Sequence, residues 1–247
     1  MMSSESRRDG AGRLSAAELE PLAGYGAKAV WPAGFTIYQR SAAADGIFVV
    51  LRGRVVLRSR VKAGRGFVPA IAGVGETFGA EGLAGGGVYA TDARAEEESE
   101  TLHLSGVRYR AFAREQPQHA LALVGQVMQQ YAVLLEKLRE LATLSVEQRL
   151  VTTLARMSQQ QAPGAGNGQI SLDGGQYRLL CEMVGATRES VSIVVNRLIA
   201  DGLAERQGAG FVVPSLDDLL SRSGTARDGE LAMQMGIESE LGGDAAR

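Results

Sequence analysis

The chain has 247 residues, 45% of them hydrophobic, 22% charged and 5% aromatic, which suits one large aliphatic core or two modest ones. A formal net charge of −2 excludes a globally basic protein, so any nucleic-acid surface has to be local. Cys181, the single cysteine, rules out an intramolecular disulfide and a four-cysteine iron–sulfur cluster, and no apolar run approaches the ~20 residues of a membrane-spanning helix. The start "MMSSESRRDG" lacks the apolar middle of a secretory signal, and with so little thiol a cytoplasmic location is expected.

Residues 1–20 are small and polar and read as a disordered tail. Residues 21–115 carry short branched or aromatic runs, "FTIY", "GIFVVL", "RVVLRS", "FVPAIA" and "ETLHL", separated by Gly, Pro or small residues, which predicts an antiparallel β-domain. Gly34, Gly46, Gly53, Gly73, Gly75 and Gly79 fall near the expected strand ends and read as turn residues. Arg58, Arg60 and Lys62 alternate onto one face of a strand, a solvated basic face that could also take an anionic ligand. His103 and His119 have no cysteine beside them and read as solvated or hydrogen-bonded; no metal site and no cofactor is expected.

A helix is predicted over residues 116–144. Val124, Val127, Tyr131, Leu134, Leu138 and Leu141 recur at alternating steps of three and four, the seam of a coiled coil, with Gln, Glu, Lys and Arg between them. Such a seam calls for a second copy of the chain.

Residues 145–221 change to short helices and a terminal hairpin, the pattern of a winged helix. "VEQRLVTTLARM" is amphipathic, and "LAERQGAGFVV" reads as two strands around a glycine turn. Between them, a helix from about Gln176 to Val184 buries Leu179, Leu180 and Met183, Gly185 allows a sharp turn, and Thr187 caps a second helix. That helix turns Val191, Val194, Val195, Leu198 and Ile199 inward and leaves Arg188, Glu189 and Ser192 exposed at its N-terminus, the end that enters the DNA major groove in helix-turn-helix proteins. Arg donates two bonds to guanine, a carboxylate accepts from the cytosine amino group, and a hydroxyl reaches a base or a phosphate. Residues 222–247 read as a flexible tail, with a short amphipathic helix at about 231–241.

The order of these parts, and specifically "PAGFTIYQR", "VLRGRVVL", "GETFGAEGLAG", "VEQRLVTTLARM" and "GATRESVSIVVNRL", resembles the CRP/FNR family of bacterial transcription regulators over about residues 22–220. The resemblance implies an α+β fold: an antiparallel β-roll of the cyclic-nucleotide-binding type, a long dimerisation helix and a C-terminal winged helix-turn-helix. It implies base contacts from Arg188 and Glu189 with Ser192 one turn on, in a DNA-facing set completed by Thr187, Ser190, Ile193, Asn196 and Arg197. Ile193 stands where the family usually has a further arginine. The implied partners are double-stranded DNA at a palindromic operator, a second copy of the chain, and RNA polymerase.

The family's nucleotide cassette reads Phe-Gly-Glu-x-x-Leu and then an Arg followed by a small residue. Phe78, Gly79, Glu81 and Leu83 resemble its first part, with Ala80 inserted, but Tyr89 and Ala90 stand where the Arg pair belongs. Leu134 and Leu135 replace the hydroxyls that contact the purine. A cyclic phosphate would be buried without its guanidinium, and the purine edge would meet methyl groups, at roughly 1–3 kcal/mol per unmatched polar group. A regulator working without cAMP is therefore expected.

Two other readings accompany it. One is a regulator gated by a different small molecule, such as a cyclic dinucleotide, through the altered pocket. The other is an interaction protein without DNA binding, suggested by six Arg, no Lys and eight acidic residues from Ser145 to Ser221. Against an enzyme stand the lack of a nucleophile with a His–acid pair, of a phosphate loop and of metal-ligand spacing.

Overall fold

The computed structural model describes residues 13–60, 66–159 and 169–223, which divide between residues 142 and 143 into two compact units. The first begins earlier than composition suggests. Helix α1 (Ala16–Ala23) is closed by a capping box in which the Ser15 N–H donates to Glu18 at 2.7 Å, and Leu14 and Leu22 are buried. Residues 13–20 are therefore folded rather than tail: a few apolar side chains at helical spacing suffice once a core lies beneath them.

Strands β1 (Ala27–Trp31), β2 (Thr36–Tyr38), β3 (Gly46–Arg52), β4 (Val55–Arg60), β5 (Gly66–Ala72), β6 (Thr77–Phe78), β7 (Asp92–Ala95) and β8 (Ser99–Ser105) form two antiparallel four-stranded sheets, ordered β1-β8-β3-β6 and β2-β7-β4-β5. Five of the eight match the apolar runs of the sequence. "AKAVW" and "DARA" lack the branched density that marks a strand, and their pairing comes from β8 and β4. Gly34, Gly53, Gly75 and Gly79 have positive φ, as turn residues should. Gly46 is different: it stands at a strand end as expected, but as the first residue of β3 without a positive φ, and a Cβ there would run into the Leu104 carbonyl of β8.

Helix α2 (Gly106–Glu115) follows the roll, started by the Ser105 side chain, and leads into α3 (Pro117–Thr143). Ile47, Val49, Leu102 and Leu104 pack against Phe112 of α2 and against Ala120 and Leu123 of α3. Beyond this contact α3 is tied on by polar side chains. Gln126 Nε2 donates to the Gly75 carbonyl at 2.7 Å, Gln130 Nε2 to that of Thr77 at 2.9 Å, and Lys137 Nζ to that of Val68 at 2.6 Å.

The second unit holds α4 (Val146–Gln159), β9 (Ile170–Leu172), α5 (Gly174–Val184), α6 (Arg188–Ala200), β10 (Glu205–Gln207), β11 (Gly210–Val213) and α7 (Leu216–Ser223). The hairpin β10–β11 gains a third strand through β9, and α7 closes the core. Arg222 and Ser223 thus belong to α7 rather than to a tail, whereas the helix expected at about 231–241, like Lys62, lies outside the described residues. In α5, Cys181 takes the buried position expected for Met183, which is only half-buried.

Candidate nucleic-acid interface and sensor pocket

Local chemistry sets the turn between α5 and α6. Asp173 caps α5, its carboxylate accepting from the N–H groups of Gly175 and Gln176 at 2.8 Å each. Gly185 ends the helix at φ 67°, a left-handed conformation that suits glycine. Two residues on, Thr187 caps α6, its hydroxyl accepting from the Ser190 N–H at 3.2 Å. Arg149 of α4 braces the corner, donating from Nε to the Val184 carbonyl at 3.0 Å and from Nη1 to that of Leu144 at 2.9 Å. Nothing in "VEQRL" marks that arginine as a brace, because its partners are main-chain carbonyls.

Helix α6 buries Val191, Val194, Val195 and Leu198 and leaves Arg188, Glu189, Ile193, Asn196 and Arg197 exposed, with Ser190 and Ser192 half-buried. The Arg188 guanidinium lies 6.0 Å from the centre of the Tyr177 ring, and that ring meets Phe211 edge-on. Ser192 is hydrogen-bonded to the Tyr177 hydroxyl. Bonds from its own backbone N–H and from the Thr187 hydroxyl hold the Glu189 carboxyl below the usual carboxylate range, so it is an anion at neutral pH.

Asn196 and Arg197 are committed elsewhere in the unit. Asn196 Oδ1 accepts from Arg206 of the wing at 2.5 Å, and Arg197 pairs with Glu147 at 3.0 Å. The wing turns at Gly208, whose φ is 54°, and Gly210 begins β11 so close to β9 that a Cβ there would collide with the Leu172 carbonyl. Arg206 and Tyr177 escaped the sequence reading because their roles depend on packing between elements.

The acidic residues of this unit divide between the α6 neighbourhood, where Glu189 and Asp201 lie on or at the end of the helix and Glu147 pairs with Arg197, and other helix starts. Asp173 caps α5, and Asp217 and Asp218 occupy the first turn of α7, where the helix dipole favours negative charge. Arg188 and Arg197 share the α6 surface with Glu189, beside Arg206 of the wing.

In the β-roll, Tyr89 is buried, its ring stacked on Tyr38 at 3.7 Å and its hydroxyl donating to Asp45 Oδ1 at 2.9 Å. Burial, reinforced by the bond to Asp45, pushes its phenol up to about 12. Phe48 and Phe78 stack beside this pair, and Gly79 sits beneath Tyr38, Phe48 and Tyr89. The Glu81 carboxylate accepts from the Ala90 N–H at 3.1 Å. Gly79, Glu81, Tyr89 and Ala90 are thus brought together, with Leu83 in the 3-10 turn Ala80–Leu83 and packed on the neighbouring core. Leu134 and Leu135 of α3 are about half exposed.

At the sheet β2-β7-β4-β5, a polar cavity of about 350 Å³ is lined by Thr36, Gln39, Arg58, Asp92 and Arg94.

On α3, Val124, Tyr131, Leu134 and Leu138 are exposed, as a seam awaiting a partner would be. Val127 packs onto the roll core and Leu141 is half-buried. Leu121, Met128 and Leu135 are exposed as well, so the uncovered stripe runs 121, 124, 128, 131, 135, 138, again in alternating steps of three and four.

Two family models match the chain, that of the cyclic nucleotide-binding domain over residues 28–116 and that of the Crp-like helix-turn-helix domain over residues 148–222. The cAMP-activated global transcriptional regulator CRP of Haemophilus influenzae is 24% identical over 188 residues, covering 74% of this chain and 82% of that protein. Among solved structures, the c-di-GMP-responsive global regulator CLP of Xanthomonas campestris superposes with a TM-score of 0.71 at 22% identity, covering 81% of this chain and 99% of the other. FixK2 of Bradyrhizobium japonicum gives 0.64 at 20% identity, covering 79% and 96%. At these identities the structural likeness is one of fold.

Proposed function

The chain belongs to the CRP/FNR family of DNA-binding transcription regulators, and from that premise we propose that it acts as a homodimer on a palindromic operator without needing cAMP. The exposed N-terminal face of α6, with Arg188 and Glu189 set on a helix whose other side is core and Ser192 half-buried beside them, carries this reading. The uncovered stripe on α3 supports dimerisation, because an apolar seam of this regularity is stabilised by burial against its like. Tyr89 supports independence from cAMP: its ring fills space beside Gly79, its hydroxyl is taken by Asp45, and Glu81 is engaged by the Ala90 N–H. RNA polymerase would be the partner through which bound protein acts. The test is titration of full-length protein with a selected operator and a scrambled duplex, at two salt concentrations and without nucleotide. Operator preference with one dimer per site is expected; equal binding to both duplexes that falls alike with salt, or binding to neither, would refute it.

One observation favours a second reading, a regulator gated by another anionic small molecule. The cavity lined by Arg58 and Arg94, with Thr36, Gln39 and the Asp92 carboxylate, holds two guanidinium groups of the kind that bind phosphate, set against one anion. The Xanthomonas campestris relative responds to c-di-GMP. Thermal stabilisation by a nucleotide panel that includes cyclic dinucleotides separates the two readings, since a ligand of the folded state raises the melting temperature.

A further inference from the structure

We propose that α6 reads the C5-methyl group of a pyrimidine through Ile193, so that each operator half-site contains a thymine recognised by its methyl rather than by a hydrogen bond. This rests on the DNA-reading function proposed above and names what one position of that surface recognises.

Ile193 is 63% exposed, although its helix buries every other large aliphatic side chain wholly or in part. A single exposed apolar residue is ordinary on a protein surface. Its position sets Ile193 apart. It lies one turn after Glu189 and one turn before Arg197, in the middle of the only polar face of α6, close to the end that enters the groove.

The neighbouring side chains leave the contact to it. Ser192 bonds to the Tyr177 hydroxyl, Asn196 accepts from Arg206, and Arg197 pairs with Glu147 two turns from the helix start. Arg188 and Glu189 supply donors and an acceptor, so the hydrogen-bonding vocabulary of the first turn is already complete. An isoleucine at the next turn adds nothing to that vocabulary and would desolvate any donor or acceptor it covered. The major groove offers one apolar feature, the thymine C5-methyl. Burying that methyl against the Ile193 side chain is favourable, whereas a cytosine amino group or guanine O6 there would lose water without gaining a partner.

The experiment uses full-length wild-type protein and an operator selected from random duplexes at fixed salt. Each symmetric pair of thymines is replaced in turn by deoxyuridine, which removes only the methyl. One pair is expected to weaken binding about 15-fold, about fourfold per half-site, the effect of one methyl group transferred from water. At that pair, cytosine should bind weakly and 5-methylcytosine should recover part of the loss, which separates the methyl from the remaining thymine edge. With Ile193→Ala, whose exposed site leaves folding intact by circular dichroism, the deoxyuridine effect should fall below about twofold. An operator indifferent to every deoxyuridine pair, or an effect undiminished in Ile193→Ala, would overturn the inference while leaving DNA reading in place. Failure of the wild type to select any sequence would instead remove the reading on which it rests.

Discussion

Arg188 and Glu189 are adjacent on α6 yet should behave oppositely away from the operator. Each makes its hydrogen bonds to base edges in the proposed complex, so Arg188→Ala and Glu189→Ala should each weaken operator binding by roughly 1–3 kcal/mol. On a scrambled duplex, removing Glu189 deletes an anion beside phosphate and should hold or tighten binding. Removing Arg188 loses a cation and should weaken it. Paired titrations on both duplexes check this, and matching signs on scrambled DNA would contradict it. At Tyr89 the prediction concerns pH. Its phenol is held near 12 in the folded protein against 10.0 for an unburied tyrosine. The neutral form is thus favoured by folding, and the associated stability is intact below pH 10 and lost as pH rises towards 12. Urea midpoints between pH 9 and 12 should fall less steeply for Tyr89→Phe than for wild type. Arg188 and Glu189 were legible because helix periodicity alone exposes them, whereas Ser192, read as exposed, is half-buried and bonded to the Tyr177 hydroxyl. Tyr177 was not legible, since its value to Arg188 depends on a ring placed by another helix.

At the level of elements, α3 shows where periodicity is ambiguous. A stripe through Val127 and one through Leu121, Met128 and Leu135 are equally regular, and only the packing of Val127 on the roll decides between them. Leu135→Glu with Leu138→Glu should give monomers by sedimentation at micromolar concentration, and should weaken the operator by more than tenfold because two half-sites are no longer bound together. Val127→Ala should leave the dimer intact and lower the melting temperature, the cost of truncating a side chain packed on a core. A reversed outcome would restore the stripe read from sequence. Strands show the same limit from the other side. The branched runs of β3, β4 and β5 announced themselves, whereas β7, "DARA", is a strand because β2 and β4 flank it. The start of α1 was hidden for a related reason, as the burial of Leu14 and Leu22 comes from the roll beneath them.

For the molecule as a whole, the expectation is a regulator whose DNA binding is indifferent to cyclic mononucleotides. Calorimetry with cAMP and cGMP should show no site tighter than about 10 μM, about −7 kcal/mol, and neither nucleotide should shift the operator titration. A tighter site would mean that the Tyr89 ring leaves its stack on Tyr38 to admit the ligand. The overall order of roll, long helix and winged helix was open to sequence reading because each part has its own periodicity and turn chemistry. The bonds that hold the parts in place were closed to it, because many run to main-chain carbonyls, which every residue possesses. Gln126, Gln130 and Lys137 illustrate what that confers. They grip α3 to the roll at the carbonyls of Gly75, Thr77 and Val68. A carbonyl is present whatever the side chain, but two of the gripped positions are not indifferent to identity: Gly75 sits at φ 79° against the Leu14 carbonyl, and the Thr77 hydroxyl also bonds to Gln130. Substitutions elsewhere in the roll that leave its backbone in place would therefore keep these three bonds, and with them the seat of α3.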